Sequence, residues 1–162
     1  MARDSPPVNF LAKAKLASYS RPILPIEPPY VLDDQIGYVL RRVTQRHLAI
    51  FSETIPGITT TQFAVLARLA QMGPLSQNLL GRETAMDAAT IKGVVDRLAK
   101  QGLLTTAADP SDKRRLTVTL SDQGKALFAA TRDAAIAVSA QTLGPLSAQE
   151  RATLMALLLR LV

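Results

Sequence analysis

The sequence contains no cysteine, no tryptophan and a single histidine in 162 residues. Without cysteine there is no disulfide, no thiolate metal ligand and no thiol for redox sensing, and the composition fits the reducing cytoplasm. One histidine, His47, is too few for a histidine-built metal site or a Ser–His triad within one chain. There is no glycine loop for cradling phosphates and no metal-ligand spacing, so neither an enzyme nor a bound cofactor or metal is expected. Aromatic residues make up only 4% of the chain, too few for the stacking platforms of a single-strand nucleic-acid binder. No apolar stretch approaches the ~20 residues needed to cross a bilayer, the longest being interrupted by Arg160. The N-terminus lacks the continuous apolar core of a secretion signal. A soluble, cytoplasmic protein without membrane contact is the expectation.

What is present suits one domain with a sizeable core. Nineteen Lys and Arg against thirteen Asp and Glu give a net charge of +6, which permits a polyanionic partner. The charge is spread out: residues 1–32 and 82–115 carry +2 each, and 33–81 and 116–162 carry +1 each. A nucleic-acid reading therefore has to rest on motifs.

Six of the ten prolines fall in the first 29 residues, which excludes one long helix there because proline fixes φ and restricts its predecessor. Residues 1–32 read as a Pro-rich extension, either draped over a partner subunit or disordered, with a short helix over Val8–Ser20 in reach. From Asp33 the texture changes. Ile36, Val39, Leu40, Val43, His47, Ile50 and Phe51 recur at helical spacing until Pro56-Gly57. Thr59-Thr60-Thr61-Gln62 is a capping box opening a second helix that ends near Gly73-Pro74. Ser76 caps a short third helix to about Arg82, with Leu75 and Leu80 as its hydrophobic staple. Asp87 caps a fourth, in which Ile91, Val94, Val95 and Leu98 face inward and Gly102 takes the position after the last turn. The period then shifts toward two. Leu103–Thr106 and Arg115–Leu120 flank a turn over Ala107–Arg114, a hairpin with a charged tip. Two more helices follow, Asp122 to about Thr142 and, capped by Ser147, Ala148 to Val162.

Two short helices joined by a tight turn and followed by a hairpin form the order of a winged helix-turn-helix. A helix fits the major groove and presents its N-terminal residues to base edges and phosphates. A basic hairpin tip beside it suits the adjacent minor groove. In Leu75-Ser76-Gln77-Asn78-Leu79-Leu80, in Thr90-Ile91 through Val95-Asp96-Arg97-Leu98 with Gly102-Leu103, in Asp109-Pro110-Ser111-Asp112-Lys113-Arg114 and in Leu120-Ser121-Asp122-Gln123-Gly124-Lys125, the sequence resembles the MarR family of bacterial transcription regulators. The resemblance runs from Asp33 to Val162, and the wing element is its most diagnostic part.

The resemblance implies a mainly α fold with a β-hairpin wing. Residues 33–162 would form a MarR-type domain, with 59–120 the DNA-binding lobe and 33–55 and 122–162 the dimerisation helices. Asp112 would brace the wing while Arg114 enters the minor groove and Lys113 and Arg115 hold phosphates. Ala89, Thr90, Lys92, Gly93 and Arg97 would face DNA, and Ser76, Gln77 and Asn78 would hold a phosphate. Two departures weaken base-by-base readout: Gly93 stands where a long polar residue is frequent, and Thr105-Thr106 replaces a charged pair. Homodimerisation has a physical argument as well, because Leu154, Met155, Leu157, Leu158, Leu159, Leu161 and Val162 make the last helix apolar around most of its girth.

By the same resemblance a small aromatic or heteroaromatic acid or phenol would bind between the dimerisation helices and the DNA-binding lobe. His47 with Arg46, Thr44, Phe51 and Phe63 is the candidate set, since a cation beside an apolar wall suits an aromatic carboxylate. A core histidine satisfied within the fold is the other reading of His47. The function expected is a ligand-responsive repressor on double-stranded DNA that controls catabolism or efflux of such compounds. The competing reading is a winged-helix protein-interaction module without specific DNA binding.

Overall fold

The structure is a computed structural model that describes residues 30–108 and 116–162. The Pro-rich extension up to residue 29 and the wing tip at 109–115, with Asp112, Lys113, Arg114 and Arg115, lie outside the described residues. A single 3-10 turn, Leu32–Asp34, precedes α1 (Ile36–Thr54). Then come α2 (Thr60–Met72), β1 (Leu75–Ser76), α3 (Gln77–Glu83), α4 (Ala88–Lys100), β2 (Leu104–Ala108), β3 (Leu116–Leu120), α5 (Asp122–Thr142) and α6 (Ala148–Leu158). The three strands form one antiparallel sheet in the order β1-β3-β2.

The helix starts follow from local chemistry. Thr59 accepts from the Gln62 amide at 3.2 Å while the Gln62 side chain accepts from the Thr59 amide at 2.9 Å, closing the expected capping box. Ser76, Asp87, Ser121 and Ser147 each accept from the amide three residues on, satisfying donors that have no partner inside their helix. Leu75 and Leu80 are both buried, as the staple requires. Gly102 takes φ +73° after α4, the left-handed conformation that glycine adopts without penalty.

The core lies where α2, α3 and α4 meet the sheet and the start of α5. Ile91, Val94, Val95 and Leu98 of α4 pack with Val65, Leu66, Leu80 and Val118, all almost wholly buried. α5 runs back against α1 and α2, where Val138 is sealed.

The structure corrects several expected boundaries. Ala107 and Ala108 are in β2, paired with Thr117 and Leu116, rather than in the turn. Leu75 and Ser76 also form a strand, pairing with Val118 and Thr117 of β3; two residues with a partner some forty positions away leave no local period to read. The last helix stops at Leu158 instead of Val162. There the bonding tightens to three-residue steps, Arg160 N–H to Leu157 O at 3.2 Å and Leu161 N–H to Leu158 O at 3.0 Å, as the last turn of a helix often does.

Candidate DNA interface and effector groove

α4 is amphipathic. Its inner face supplies the core, and its outer face carries Ala89, Thr90, Lys92, Asp96 and Arg97, all exposed, with Gly93 half-buried among them. Asp87 fixes its start by accepting from the Thr90 amide at 2.7 Å and the Thr90 hydroxyl at 2.8 Å. Those bonds to Thr90, backbone first and hydroxyl second, hold the Asp87 carboxyl below its ordinary range. On the same face Lys92 pairs with Asp96 at 2.6 Å, so its charge is partly spent within the helix. Arg97 lies back over Gly93, its guanidinium nitrogens 3.7 and 3.8 Å from where a Cβ would stand. The position that lacks a side chain is thus partly covered by an arginine one turn away. Ser76, Gln77 and Asn78 sit at the head of α3, where the Ser76 hydroxyl is committed to the Leu79 amide at 3.3 Å. Sequence reasoning missed Asp96 as part of this face, although its spacing from Lys92 is the usual four residues of a helical ion pair.

The expected effector residues are only partly brought together. His47 Nδ1 lies 3.0 Å from Thr142 Oγ1. That hydroxyl donates to Val138 O at 2.8 Å, so its lone pair is turned to accept from the His47 ring N–H. Arg46 donates to the Thr142 and Gln141 carbonyls at 3.4 and 3.3 Å, a cation at the negative end of α5. Both side chains therefore tie α1 to the C-terminus of α5. Thr44 is exposed on α1.

Phe51 and Phe63 do meet, edge to face with centroids 5.8 Å apart, and Phe63 continues to Phe128 at 5.7 Å. This line of rings leads into a groove of about 500 Å³ between α2 and α5, walled by Phe63, Ala67, Gln71, Phe128, Arg132 and Ile136. A second hollow of about 300 Å³ adjoins it through Ala70 and Phe128 and has Lys125 at its rim. Arg132, whose Nε is 3.0 Å from Asp133, is the groove's cation. Phe128, Arg132 and Gln71 were missed because neither helix marks a cavity in its own sequence. The available signal was the pair Phe128 and Arg132, four residues apart among small side chains.

A recognition helix with a polar outer face, a scaffolding helix set across it and a three-stranded sheet leading into a wing define a winged helix-turn-helix DNA-binding protein. Residues 57–115 match the model of the MarR family. The chain is 39% identical over 136 residues to the HTH-type transcriptional repressor NicR of Pseudomonas putida, covering 83% of this chain and 86% of that protein. Its fold is similar to the crystal structure of a probable transcriptional regulator from Pseudomonas aeruginosa, at 55% identity and TM-score 0.79 over 82% of this chain and 100% of that one. It is also similar to Bordetella bronchiseptica BpsR, whose DNA binding is regulated by 6-hydroxynicotinic acid, at 39% identity and TM-score 0.78 over 82% of this chain and 96% of that one. The chain belongs to the MarR family and is a DNA-binding transcription regulator, not an enzyme. Among the described residues, no helix is long and apolar enough to cross a membrane.

Proposed function

We propose that the protein is a homodimeric repressor released from a pseudo-palindromic operator by a small aromatic or heteroaromatic carboxylic acid or phenol, and that it controls catabolism or efflux of such compounds. The observation that carries the effector class is the groove between α2 and α5. Phe63 and Phe128 supply apolar, polarisable walls, Arg132 a guanidinium fork for a carboxylate, and Gln71 and Ser139 polar partners for a ring substituent. The likeness to BpsR, regulated by 6-hydroxynicotinic acid, and to the repressor NicR supports the same class and sign of regulation. Of the expected set Phe63 lines this groove and Phe51 packs against Phe63, while Arg46 and His47 are bonded to the end of α5 and Thr44 stands exposed on α1.

Dimerisation is supported by apolar surface that the single chain leaves uncovered. Ile36 of α1 is 64% exposed and Leu157 of α6 is 51% exposed, with Val39, Leu40, Val43 and Met155 alongside. A second copy would cover these faces and set two α4 helices on successive major grooves. In that arrangement Ala89, Thr90, Lys92, Gly93 and Arg97 face the bases and phosphates. Ser76, Gln77 and Asn78 approach a phosphate, and the wing sends Arg114 into the minor groove, braced by Asp112 and flanked by Lys113 and Arg115.

The test is a mobility-shift titration on the DNA upstream of the protein's own gene, repeated with 6-hydroxynicotinic, nicotinic, 4-hydroxybenzoic and salicylic acids. A specific shift that at least one acid reverses is expected. No specific shift, or a shift that none of the acids alters, would overturn the operator or the effector half of the proposal respectively.

A further inference from the structure

We propose that Arg68 is the positioning residue through which occupancy of the α2–α5 groove reaches the recognition helix; this rests on the ligand-responsive reading above. Arg68 stands on α2 between the groove and the helix-turn-helix. Its Nη1 donates to Gln71 Oε1 at 3.4 Å, and Gln71 lines the groove. Its Nε donates to the Glu83 carbonyl at 3.2 Å and lies 3.8 Å from the Glu83 carboxylate. Among the described residues this is the only side-chain hydrogen bond between α2 and the unit formed by α3 and α4. The planar fork of arginine suits such a double engagement, whereas a lysine ammonium serves as a single point of contact.

Beyond Glu83 the chain is stitched into one unit. The Thr84 hydroxyl donates to Leu80 O at 2.6 Å, and the Met86 amide to Gly81 O at 2.9 Å. Gly81 has little room for a side chain, since a Cβ would stand 3.1 Å from Met86 O and 3.2 Å from Ile91 Cγ2. Ala85 turns the corner at φ +52°, a left-handed conformation that is strained for a non-glycine residue and persists only where neighbours enforce it. A displacement of Glu83 is therefore passed through this turn to the N-terminus of α4, where the candidate base-reading residues sit.

The seam also has room to move. A cavity of about 290 Å³ separates α2 from the end of α3, lined by Phe63, Ala64, Ala67, Arg68, Glu83 and Thr84, with Gln71 at its edge. Phe63, Ala67 and Gln71 wall both this cavity and the larger groove. An aromatic acid that shifts Phe63 or engages the Gln71 amide alters the partner of the Arg68 fork on one side, while the other side faces an open hollow against Glu83 and Thr84. Coupling of this kind needs an element with two arrangements that both sites bias, the role proposed for the α2–α3 seam.

The experiment compares native protein with Arg68→Met and Arg68→Lys. It measures binding of the four acids named above by calorimetry, operator binding by fluorescence anisotropy with and without acid, and thermal melting. Both variants are expected to bind acid, and operator in its absence, within about threefold of native, while the acid-induced loss of operator affinity falls to less than about a third of the native factor. Because coupling is reciprocal, acid affinity for the DNA-bound variant should approach that for the free variant. Retention of the full native release factor by Arg68→Met and Arg68→Lys overturns the proposal. So does a change confined to melting and to basal operator affinity, which marks a purely structural role. If native protein binds none of the acids, the effector reading itself fails, and the coupling falls with it.

Discussion

Gly124 shows how a single missing side chain sets the geometry between the two halves of the chain. It lies in the first turn of α5, buried, and a Cβ there would overlap the Leu103 carbonyl oxygen and stand 3.2 Å from Leu120 Cδ2. The same carbonyl accepts from the Ser121 amide at 3.1 Å, and the Ser121 hydroxyl donates to Gly102 O at 2.6 Å while accepting from the Gly124 amide. The exit of the recognition helix and the entry of α5 are thus locked through backbone atoms, which cannot retreat as a flexible side chain would. Gly124→Ala is expected to destabilise the fold by about 1–3 kcal/mol, the usual range for overpacking a tight site, read as a fall in the denaturant midpoint at unchanged slope. An unchanged midpoint would mean that the α4–α5 junction yields freely. His47 shows the opposite case, where position in the sequence misleads. Its place in the apolar stripe of α1 was legible, but the Thr142 hydroxyl it bonds stands 95 residues away, and no local pattern connects them.

Among the elements, α4 was the most legible because everything that defines it is local. Asp87 at its cap, four inward apolar residues at helical spacing and Gly102 past its end all lie within one stretch of sequence, and the structure places each as expected. β1 and the groove were not legible, since both exist only where distant segments pack. The cap makes a pH prediction. Asp87 titrates below its ordinary value of 3.8, chiefly through the Thr90 amide and then the Thr90 hydroxyl. A carboxyl depressed in the folded state contributes stability that is fully present above the unfolded value and is lost as pH falls through the lower, folded one. The Thr90 amide, followed by NMR, should therefore lose its capped shift with a midpoint below pH 3.8. A midpoint at or above 3.8 would show that the cap bond does not hold the carboxylate. Glu150, depressed through its bonds to Ser147, should behave alike at the start of α6.

At the scale of the whole molecule the net charge of +6 is a weak guide, because the charge that matters is the part that stands free on the proposed DNA face. Asp96 puts a carboxylate on α4's outer face and holds Lys92 at 2.6 Å, so one of the exposed cations of α4, with Arg97 and Lys100 the others, is internally compensated. An exposed pair of this kind contributes little to stability, which leaves its main effect on the field that DNA meets. Each lysine or arginine that neutralises a phosphate adds about 0.9 to the slope of log affinity against log salt on duplex DNA. Asp96→Asn releases Lys92 and removes a repulsive charge, so in a dimer the slope should steepen by up to about 2, with one phosphate gained per protomer. The gain should appear equally on operator and unrelated DNA, because a phosphate contact carries no sequence information, and the ratio between them should stay level or fall. Fluorescence anisotropy on both DNAs between about 50 and 200 mM salt reads the two slopes directly. An unchanged slope in the variant would place α4's outer face away from the phosphates and take the assignment of Lys92 with it.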